Sequence, residues 1–300
     1  MPHRPNPRPT TRSTNTSTPG RHARRAGLRT ALFTGSIATV LAVGVVGPAA
    51  AVTGTSEPSA GTAQPTATSE ARVTTAVLDL DHPARNPQVR GNDVPYDTAS
   101  IIKVDILATL LLQAQDAGRG LTQHERTEAE AMIERSDNDA ATALWREIGL
   151  APGLEAVNKR LGLTSTVGGA GGMWGLTRTT VTDQIRLLRA VFAGGGTSAS
   201  SGPVLTTTSQ TYIRTLMTRI SAGQSWGVSA ASDAGWALKN GWLQRSTTGL
   251  WDINSVGQVT SGTHHYLVAV LSDGNASMPD GIAAVERAAR TAVTAARAAG

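Results

Sequence analysis

Two of the three lysines in this 300-residue chain lie in segments whose residue types could perform acyl transfer. Ser100 and Lys103 are three residues apart in the segment SIIK, and a helix would place the hydroxyl and the amine on one face. A neutral lysine can accept the proton of a serine hydroxyl, so the pair predicts a nucleophile, Ser100, and its base, Lys103. Lysine is neutral near pH 7 only if burial or a second cation lowers its pKa, and Lys239 is our candidate for that cation.

Two further segments carry polar groups that could complete such a site. Ser136, Asp137 and Asn138 follow the end of a predicted helix, where a short loop can present a hydroxyl and an amide to a cleft. Lys239, Asn240 and Gly241 lie on a predicted strand. Gly241 permits close approach of the backbone to a ligand, and the N–H group of the next residue, Trp242, can then point at an oxyanion.

In this order, SIIK, SDN and KNG resemble the three signature elements of class A β-lactamases and their penicillin-binding relatives, SxxK, SDN and KTG. The resemblance covers the chain from about Arg72 to its C-terminus. It implies the following roles: Ser100 as nucleophile, Lys103 as base, Ser136 as proton relay, Asn138, Lys239, Asn240 and Gly241 as substrate-binding residues, and the backbone N–H groups of Ser100 and Trp242 as oxyanion hole.

Three departures from the family pattern weaken the assignment of a substrate. The segment Leu163 to Gly175 holds no carboxylate, although class A enzymes carry their deacylating Glu between the second and third elements. Glu155 comes too early, and we expect Asp183 to bind Thr180 at a helix start. An acyl-enzyme at Ser100 should therefore persist or be resolved by another route. In addition, Asn240 replaces the usual Thr or Ser, and the segment between SIIK and SDN is short.

The pattern of apolar residues predicts strands at both ends of the body and helices in the middle. We expect an α and β fold with an antiparallel sheet built from N- and C-terminal strands, flanked by helices, with an inserted all-helical lobe. Predicted strands cover 72–81, 88–90, 237–245, 250–259 and 265–272, the first two at the edge of the sheet. Predicted helices cover 100–117, 122–135, 139–148, 153–161, 180–192, 208–221 and a last one from about 280. We expect Asp97 or Thr98 to cap the first of these helices. A capping box of Thr122 and Glu125 should begin the second.

Composition excludes several other classes of protein. The chain is 40% apolar and 16% charged and contains no cysteine, which excludes disulfides, thiolate catalysis and a lipid-modified cysteine. Its net charge is +5, but residues 1–52 hold seven Arg and no acid, which leaves 20 bases against 22 acids in the body. We therefore expect no binding to nucleic acid.

The N-terminal segment has the layout of an export signal. Its arginines precede one long apolar run, 31–51, which ends in three alanines. We interpret 1–51 as a signal peptide, with Arg24 and Arg25 suggesting the twin-arginine route as one of two routes, and 52–71 as a disordered linker. The alternative is an uncleaved membrane anchor over 31–51. The folded domain is expected over 72–300, in a secreted or extracytoplasmic protein.

Other residues offer rival interpretations. Gly223 to Gly227 match GxSxG, and Asp252 and His264 follow Ser225 in the order of an α/β-hydrolase triad, but the surrounding βα repeats are missing. His264 and His265 lack the spacing of a metal motif, and we interpret them as surface residues. The tryptophans at 174, 226, 236, 242 and 251 could line a groove or pack in the core, and the glycine-rich loop 168–175 could be a lid or simply flexible.

Taken together, the sequence predicts an exported serine hydrolase that acts through an acyl-serine on a β-lactam or related amide. One alternative is a penicillin-binding D-alanyl-D-alanine peptidase of the cell wall, and another is a relative that binds peptidoglycan without hydrolysing it. We expect a monomer whose partner is a small β-lactam or a peptidoglycan peptide, with no cofactor and no metal.

Overall fold

The computed structural model describes residues 71–82, 84–193 and 204–299. The predicted signal peptide or anchor and all of the predicted linker except Ala71 lie outside the described residues. Within the described ranges, no helix combines the length and the apolar character needed to cross a bilayer.

The strands form one five-stranded antiparallel sheet, in the order β2-β1-β7-β6-β5, and a separate pair of short strands, β3 and β4. Their bounds are β1 (Arg72–Asp79), β2 (Gln88–Arg90), β3 (Tyr96–Asp97), β4 (Arg178–Thr179), β5 (Trp236–Gln244), β6 (Trp251–Ser261) and β7 (His264–Asn275). The predicted sheet from both chain termini is confirmed. The prediction that both opening strands lie at an edge is wrong for β1, because all of its residues pair with β7 while β2 covers its other side.

Among the described residues, six α-helices lie between β3 and β5 and form the inserted lobe, and a seventh follows the sheet. They are α1 (Ile102–Asp116), α2 (Gln123–Glu134), α3 (Asn138–Glu147), α4 (Leu150–Leu161), α5 (Val181–Phe192), α6 (Thr207–Met217) and α7 (Met278–Ala298). Two apolar clusters hold these layers together, one joining the lobe to the sheet and one joining the sheet to α7. The predicted fold class is confirmed.

The ends of the helices test the local predictions. The capping box of Thr122 and Glu125 is confirmed, because the Glu125 N–H donates to Thr122 Oγ1 (3.1 Å) and the Thr122 N–H donates to Glu125 Oε2 (2.6 Å). The predicted cap of the SIIK helix is wrong. A 3₁₀ turn over Ala99–Ile101 precedes α1, and no side chain caps either the turn or the helix. The sixth helix ends at Met217, four residues before the predicted end.

The central position of α1 is what makes it a rigid base for a site. Twelve of its 15 residues are buried, so the helix is surrounded by protein rather than presenting one face to water. Each fully buried Leu or Ile side chain of such a helix stabilises the fold by about 1.5–3 kcal/mol. Side chains on the first turn of α1 therefore have fixed positions relative to the sheet.

Candidate active site

Ser100 lies at the floor of a cleft between the helical lobe and strand β5. It occupies the 3₁₀ turn before α1 and is partly exposed. The residue before it, Ala99, has a φ of 46°, a left-handed conformation that side chains other than glycine rarely adopt. Asn254 Nδ2 holds this segment by donating to the carbonyls of Asp97 (2.9 Å) and Thr98 (3.1 Å). Neighbouring structure thus supports a strained backbone at the predicted nucleophile, as is frequent at functional sites.

Lys103 is buried on the first turn of α1 and reaches the SDN segment. Its Nζ atom donates to the Ser136 carbonyl (2.7 Å), to Ser136 Oγ (3.1 Å) and to Asn138 Oδ1 (2.9 Å). Burial lowers the pKa of Lys103 from 10.5 to about 7, and the carboxylate of Asp137 partly opposes this shift. A substantial fraction of Lys103 is therefore neutral near pH 7, as a base requires. Among the described residues, no hydrogen bond joins Lys103 to Ser100 Oγ, so the structure brings this amine to Ser136 rather than directly to the predicted nucleophile.

Lys239 approaches the same hydroxyl from the sheet. Its side chain is fully buried on β5, and its Nζ atom donates to Ser136 Oγ (3.0 Å) and to the Asn240 carbonyl (3.0 Å). Burial, and then repulsion by Lys103, hold the pKa of Lys239 well below 10.5. The two amines are therefore coupled in the direction opposite to the prediction, because Lys103 lowers the pKa of Lys239, whereas burial accounts for the lowered pKa of Lys103. The hydroxyl of Ser136 bridges them from a residue with a φ of 56°.

Gly241 explains how β5 comes close to the nucleophile. A side chain at this position would place its Cβ atom 2.7 Å from the Ser100 nitrogen and 2.7 Å from the Thr98 carbonyl oxygen. Only glycine permits this approach without moving the backbone. Since β5 is the edge strand of the sheet, some of its peptide groups are not used by β6. The next residue, Trp242, lines the cleft together with Ser100, a position suited to the predicted oxyanion hole.

Asn240 faces away from this site. Successive side chains of a strand point to opposite faces, and Asn240 is fully buried behind β5. Its Nδ2 atom donates to the carbonyls of Gln224 (2.7 Å) and Trp226 (2.9 Å). This geometry does not support the predicted contact between the Asn240 side chain and a substrate, because the protein itself occupies the amide N–H groups.

The cleft has a volume of about 610 Å³ and contains a cation that the sequence reasoning missed. Arg245 follows the end of β5, pairs with Asp97, and places its Nε atom 3.0 Å from Asp252 Oδ2. Burial raises the pKa of Asp252 to about 6, although Arg245 opposes the rise. Lys239 is buried behind Ser136, whereas Arg245 lines the cleft with Ser100, Asn138, Thr142, Trp174 and Trp242. The only feature of the sequence that could have pointed to Arg245 is its position six residues after Lys239.

The glycine-rich loop 168–175 forms the wall of the cleft opposite β5. Hydrogen bonds join this loop to the helical lobe. Trp145 Nε1 donates to the Gly171 carbonyl (2.7 Å), and Trp174 Nε1 donates to Thr142 Oγ1 (3.1 Å). The Gly168 N–H donates to Glu155 Oε1 (2.9 Å), which holds that carboxylate at the loop and outside the cleft lining. No Asp or Glu occurs among the described residues that line the cleft.

Tryptophans take both of the predicted roles. Trp174 and Trp242 line the cleft, while Trp226, Trp236 and Trp251, and also Trp242, pack against the apolar cluster beneath α7. The nearby Asp183 accepts from the Thr166 hydroxyl (2.9 Å), and its N–H donates to Thr180 Oγ1 (3.2 Å), as predicted for a helix start.

The rival hydrolase triad is not assembled. Ser225 Oγ donates to the Ala222 carbonyl (2.8 Å), and Asp252 pairs with Arg245. Asp252 lies at the start of β6 and His264 comes after its end, which separates them by about 30 Å at about 3.3 Å per residue. These residues do not form one site.

A serine at a strained helix entrance, two buried lysines joined by a second serine, and an edge strand carrying glycine meet beside one cleft. Residues 124–296 match the model of the β-lactamase enzyme family, which is more than half of the chain. The chain therefore belongs to that family. The matched residues include the SDN and KNG segments, and Ser100 and Lys103 precede them.

Solved structures with the same fold include PBP-A and several β-lactamases. A β-lactamase from Chitinophaga pinensis superposes with a TM-score of 0.65 at 18% identity, covering 77% of this chain and 96% of its own. A single-residue mutant of PBP-A, solved as an acyl-enzyme complex with penicillin G, gives a TM-score of 0.62 at 19% identity, covering 76% and 90%. These likenesses concern the fold.

The curated relatives are mycobacterial proteins. The protein described as "Putative lipoprotein LppW" of Mycobacterium tuberculosis and of Mycobacterium bovis is 30% identical over 133 residues. That match spans 43% of this chain and 42% of the relative.

Proposed function

We propose that the protein is an exported serine hydrolase whose Ser100 is acylated by β-lactams and related amides, and whose acyl-enzyme is long-lived. The observation that carries this proposal is the position of Ser136 Oγ, 3.1 Å from Lys103 Nζ and 3.0 Å from Lys239 Nζ, beside the cleft that holds Ser100. Two amines with lowered pKa values and a shared hydroxyl form a path for one proton.

Acylation proceeds as a balanced proton and acyl transfer. Ser100 Oγ attacks the carbonyl carbon while its proton passes to neutral Lys103, and the backbone N–H groups of Ser100 and Trp242 bind the developing oxyanion. The C–N bond of the amide then breaks. Ser136 donates its proton to the leaving nitrogen and is reprotonated from Lys103, so that the amines end as they began and an ester remains on Ser100.

Release of the acyl group needs a base that activates water on the ester. The described cleft lining contains no carboxylate, and Lys103 is covered by hydrogen bonds and by the ring of Trp174. These features favour acylation that is faster than deacylation. Arg245, which also pairs with Asp97 and Asp252, is the proposed partner of a substrate carboxylate, because a guanidinium keeps its charge, whereas burial lowers the pKa of Lys239.

Intact-mass spectrometry after incubation with benzylpenicillin tests this proposal. We expect the full mass of penicillin to be added to the protein and to remain after free penicillin is removed. The Ser100→Ala variant, whose small side chain leaves the fold intact, should show no adduct. Rapid turnover of a chromogenic cephalosporin without an adduct would instead indicate an efficient β-lactamase.

A second candidate function is a D-alanyl-D-alanine peptidase of the cell wall, favoured by the lack of a carboxylate among the described residues of the cleft lining. Release of D-alanine from a peptide ending in D-Ala-D-Ala, lost in Ser100→Ala, would support it. No adduct and no turnover with any acyl donor would instead support a peptidoglycan-binding relative.

Export is proposed from the arginine-rich leader and its apolar run alone. Because the chain has no cysteine, a lipid-modified cysteine is not its means of attachment. Fractionation of producing cells should place the protein outside the cytoplasm, with a new N-terminus near residue 52. A full-length protein in the membrane fraction would indicate the anchor instead.

A further inference from the structure

A cluster of histidine and aspartate side chains lies at the end of the sheet far from Ser100. Asp79 ends β1, His82 follows it, and His264 begins β7. One candidate ligand atom from each of these three residues lies within 4.8 Å of the other two. His82 Nδ1 and Asp79 Oδ2 are 2.9 Å apart, and the rings of His82 and His264 are stacked with centroids 6.4 Å apart.

One nitrogen of this cluster has no partner of its own. His264 Nδ1 is inaccessible to solvent and has no hydrogen-bond partner among the described residues. Asp81 Oδ2 is 3.5 Å away and makes no hydrogen bond to it. Buried polar atoms in proteins are rarely left in this state, and a bound ion is one recognised reason. The lone pair of an imidazole nitrogen is also the donor that transition metals prefer.

From this geometry we propose that Asp79, His82 and His264 form a binding site for a divalent transition metal of the zinc class, with Asp81 or water as the fourth ligand. Two imidazoles and a carboxylate suit Zn²⁺ and Ni²⁺ and are a poor set for Mg²⁺ or Ca²⁺, which take oxygen ligands. His265 supports Asp81, since its backbone N–H donates to Asp81 Oδ2 (3.0 Å) and its Nδ1 atom is 3.4 Å from Asp81 Oδ1. His265 thereby orients the Asp81 carboxylate, as residues that hydrogen-bond to metal ligands do at other metal sites.

The three ligand groups can close around an ion without disturbing the sheet. Zinc bonds of about 2.0–2.2 Å in a tetrahedron place ligand atoms about 3.4 Å apart, so the widest separation, which is within 4.8 Å, must shrink by at most about 1.4 Å. The side chains of His82 and His264 are 44% and 38% exposed and have room to turn, whereas Asp79 is fixed at 8%. The motion required is a rotation of two imidazole rings.

The position of the site assigns it a structural role. It would join the segment after β1 to the turn between β6 and β7, and β1 is three strands away from β5 in the sheet. Metal binding should therefore stabilise this end of the domain and leave the acylation of Ser100 unchanged.

Titration of metal-free full-length protein with Zn²⁺ tests the proposal. His3 and His22, which lie in the N-terminal segment, are replaced by Gln in every chain compared, so that they contribute no ligand. We expect one equivalent of Zn²⁺ to bind and, at about 100 times the Kd, to raise Tm by about 5 °C. His82→Gln and His264→Gln should each weaken binding at least about tenfold.

The matched control is His124→Gln on α2, whose imidazole is 76% exposed and lies 3.8 Å from Glu128. It should bind Zn²⁺ with unchanged affinity. Circular dichroism of each variant reports whether it folds. If His264→Gln does not fold, Asp79→Asn takes its place as the variant that lacks one ligand. Substoichiometric binding, or equal binding by the control, His82→Gln and His264→Gln, would overturn the site. Since acylation is measured separately by mass, failure of this proposal is distinguishable from failure of the proposed function.

Discussion

The indole ring of Trp174 lies over the amine of Lys103, whose Nζ atom is 4.8 Å from the ring centroid. Trp174 is held in place by its own hydrogen bond to Thr142 Oγ1. The ring contacts Lys103 and offers no proton acceptor to a water molecule. For the acyl-enzyme that we propose, this side chain therefore supplies no base for deacylation.

Replacing Trp174 with Glu should shorten the life of the acyl-enzyme. The carboxylate would sit beside Lys103 at the cleft, where it can activate water, and positioned general bases contribute about 10²–10⁴-fold. We expect deacylation of the penicillin adduct to become at least about tenfold faster, measured by loss of the added mass with time. Trp174→Gln is the matched control, with the same size and no base. If both variants deacylate equally fast, removal of the ring and not the new carboxylate is responsible.

The rate of acylation should rise with pH through about 7. Lys103 acts as base only when it is deprotonated, and burial places its pKa at about 7. Below that pH the rate should fall about tenfold for each unit. Stopped-flow measurement of acylation by benzylpenicillin between pH 5 and 9 checks this profile. A rate that is flat from pH 5 to 8 would mean that Lys103 is not the base.

The same depressed pKa makes stability depend on pH. In the unfolded chain Lys103 has its ordinary pKa of 10.5, so between about 7 and 10.5 the unfolded state binds the additional proton. The free energy of unfolding should therefore rise with pH over this window, and the destabilising contribution of Lys103 is fully present below it. Urea denaturation at pH 7 and pH 9.5 should show a smaller difference for Lys103→Met than for the wild type. The remaining slope reports Lys239, whose pKa is lowered as well.

Gly241→Ala should impair both stability and acylation. The new Cβ atom would lie 2.7 Å from the Ser100 nitrogen, so β5 or the Ser100 turn must shift. We expect a loss of about 1–3 kcal/mol in unfolding free energy and, from displacement of an oxyanion donor, a fall in acylation rate of about 10²-fold. Gly223→Ala is the control, because its Cβ atom would meet nothing within 4 Å. Normal acylation by Gly241→Ala would exclude Trp242 from the oxyanion hole.

Arg245→Gln should weaken the capture of substrates that carry a carboxylate. A charged hydrogen bond to a carboxylate contributes about 1.5–3 kcal/mol, so the second-order acylation rate should fall at least about tenfold for benzylpenicillin. The methyl ester of the same lactam is the control, and its rate should change little. An equal loss for acid and ester would show that Arg245 acts by holding Asp97 and Asp252.

Local patterns in the sequence were sufficient to predict most of the helices and strands and to select the candidate residues of the site. Apolar periodicity and the Thr122 to Glu125 box located the helices to within a few residues, because these signals act within one or two turns of chain. The order of SIIK, SDN and KNG indicated the chemistry. The same local rules failed at Thr98, whose predicted cap is absent because a 3₁₀ turn under tertiary constraint precedes α1.

Tertiary structure alone decided which side chains meet. Ser136 lies 33 residues from Lys103 and 103 from Lys239, and only the packing of the 3₁₀ turn before α1 against β5, together with the position of the SDN loop, brings both amines to one hydroxyl. The pleat of β5 decided that Lys239 faces this hydroxyl while Asn240 turns to the opposite side, and the sheet order brought His264 to Asp79. Residue types and their spacing along the chain do not predict these contacts. The free energy of each contact depends on burial and on distances that exist only after the chain has folded.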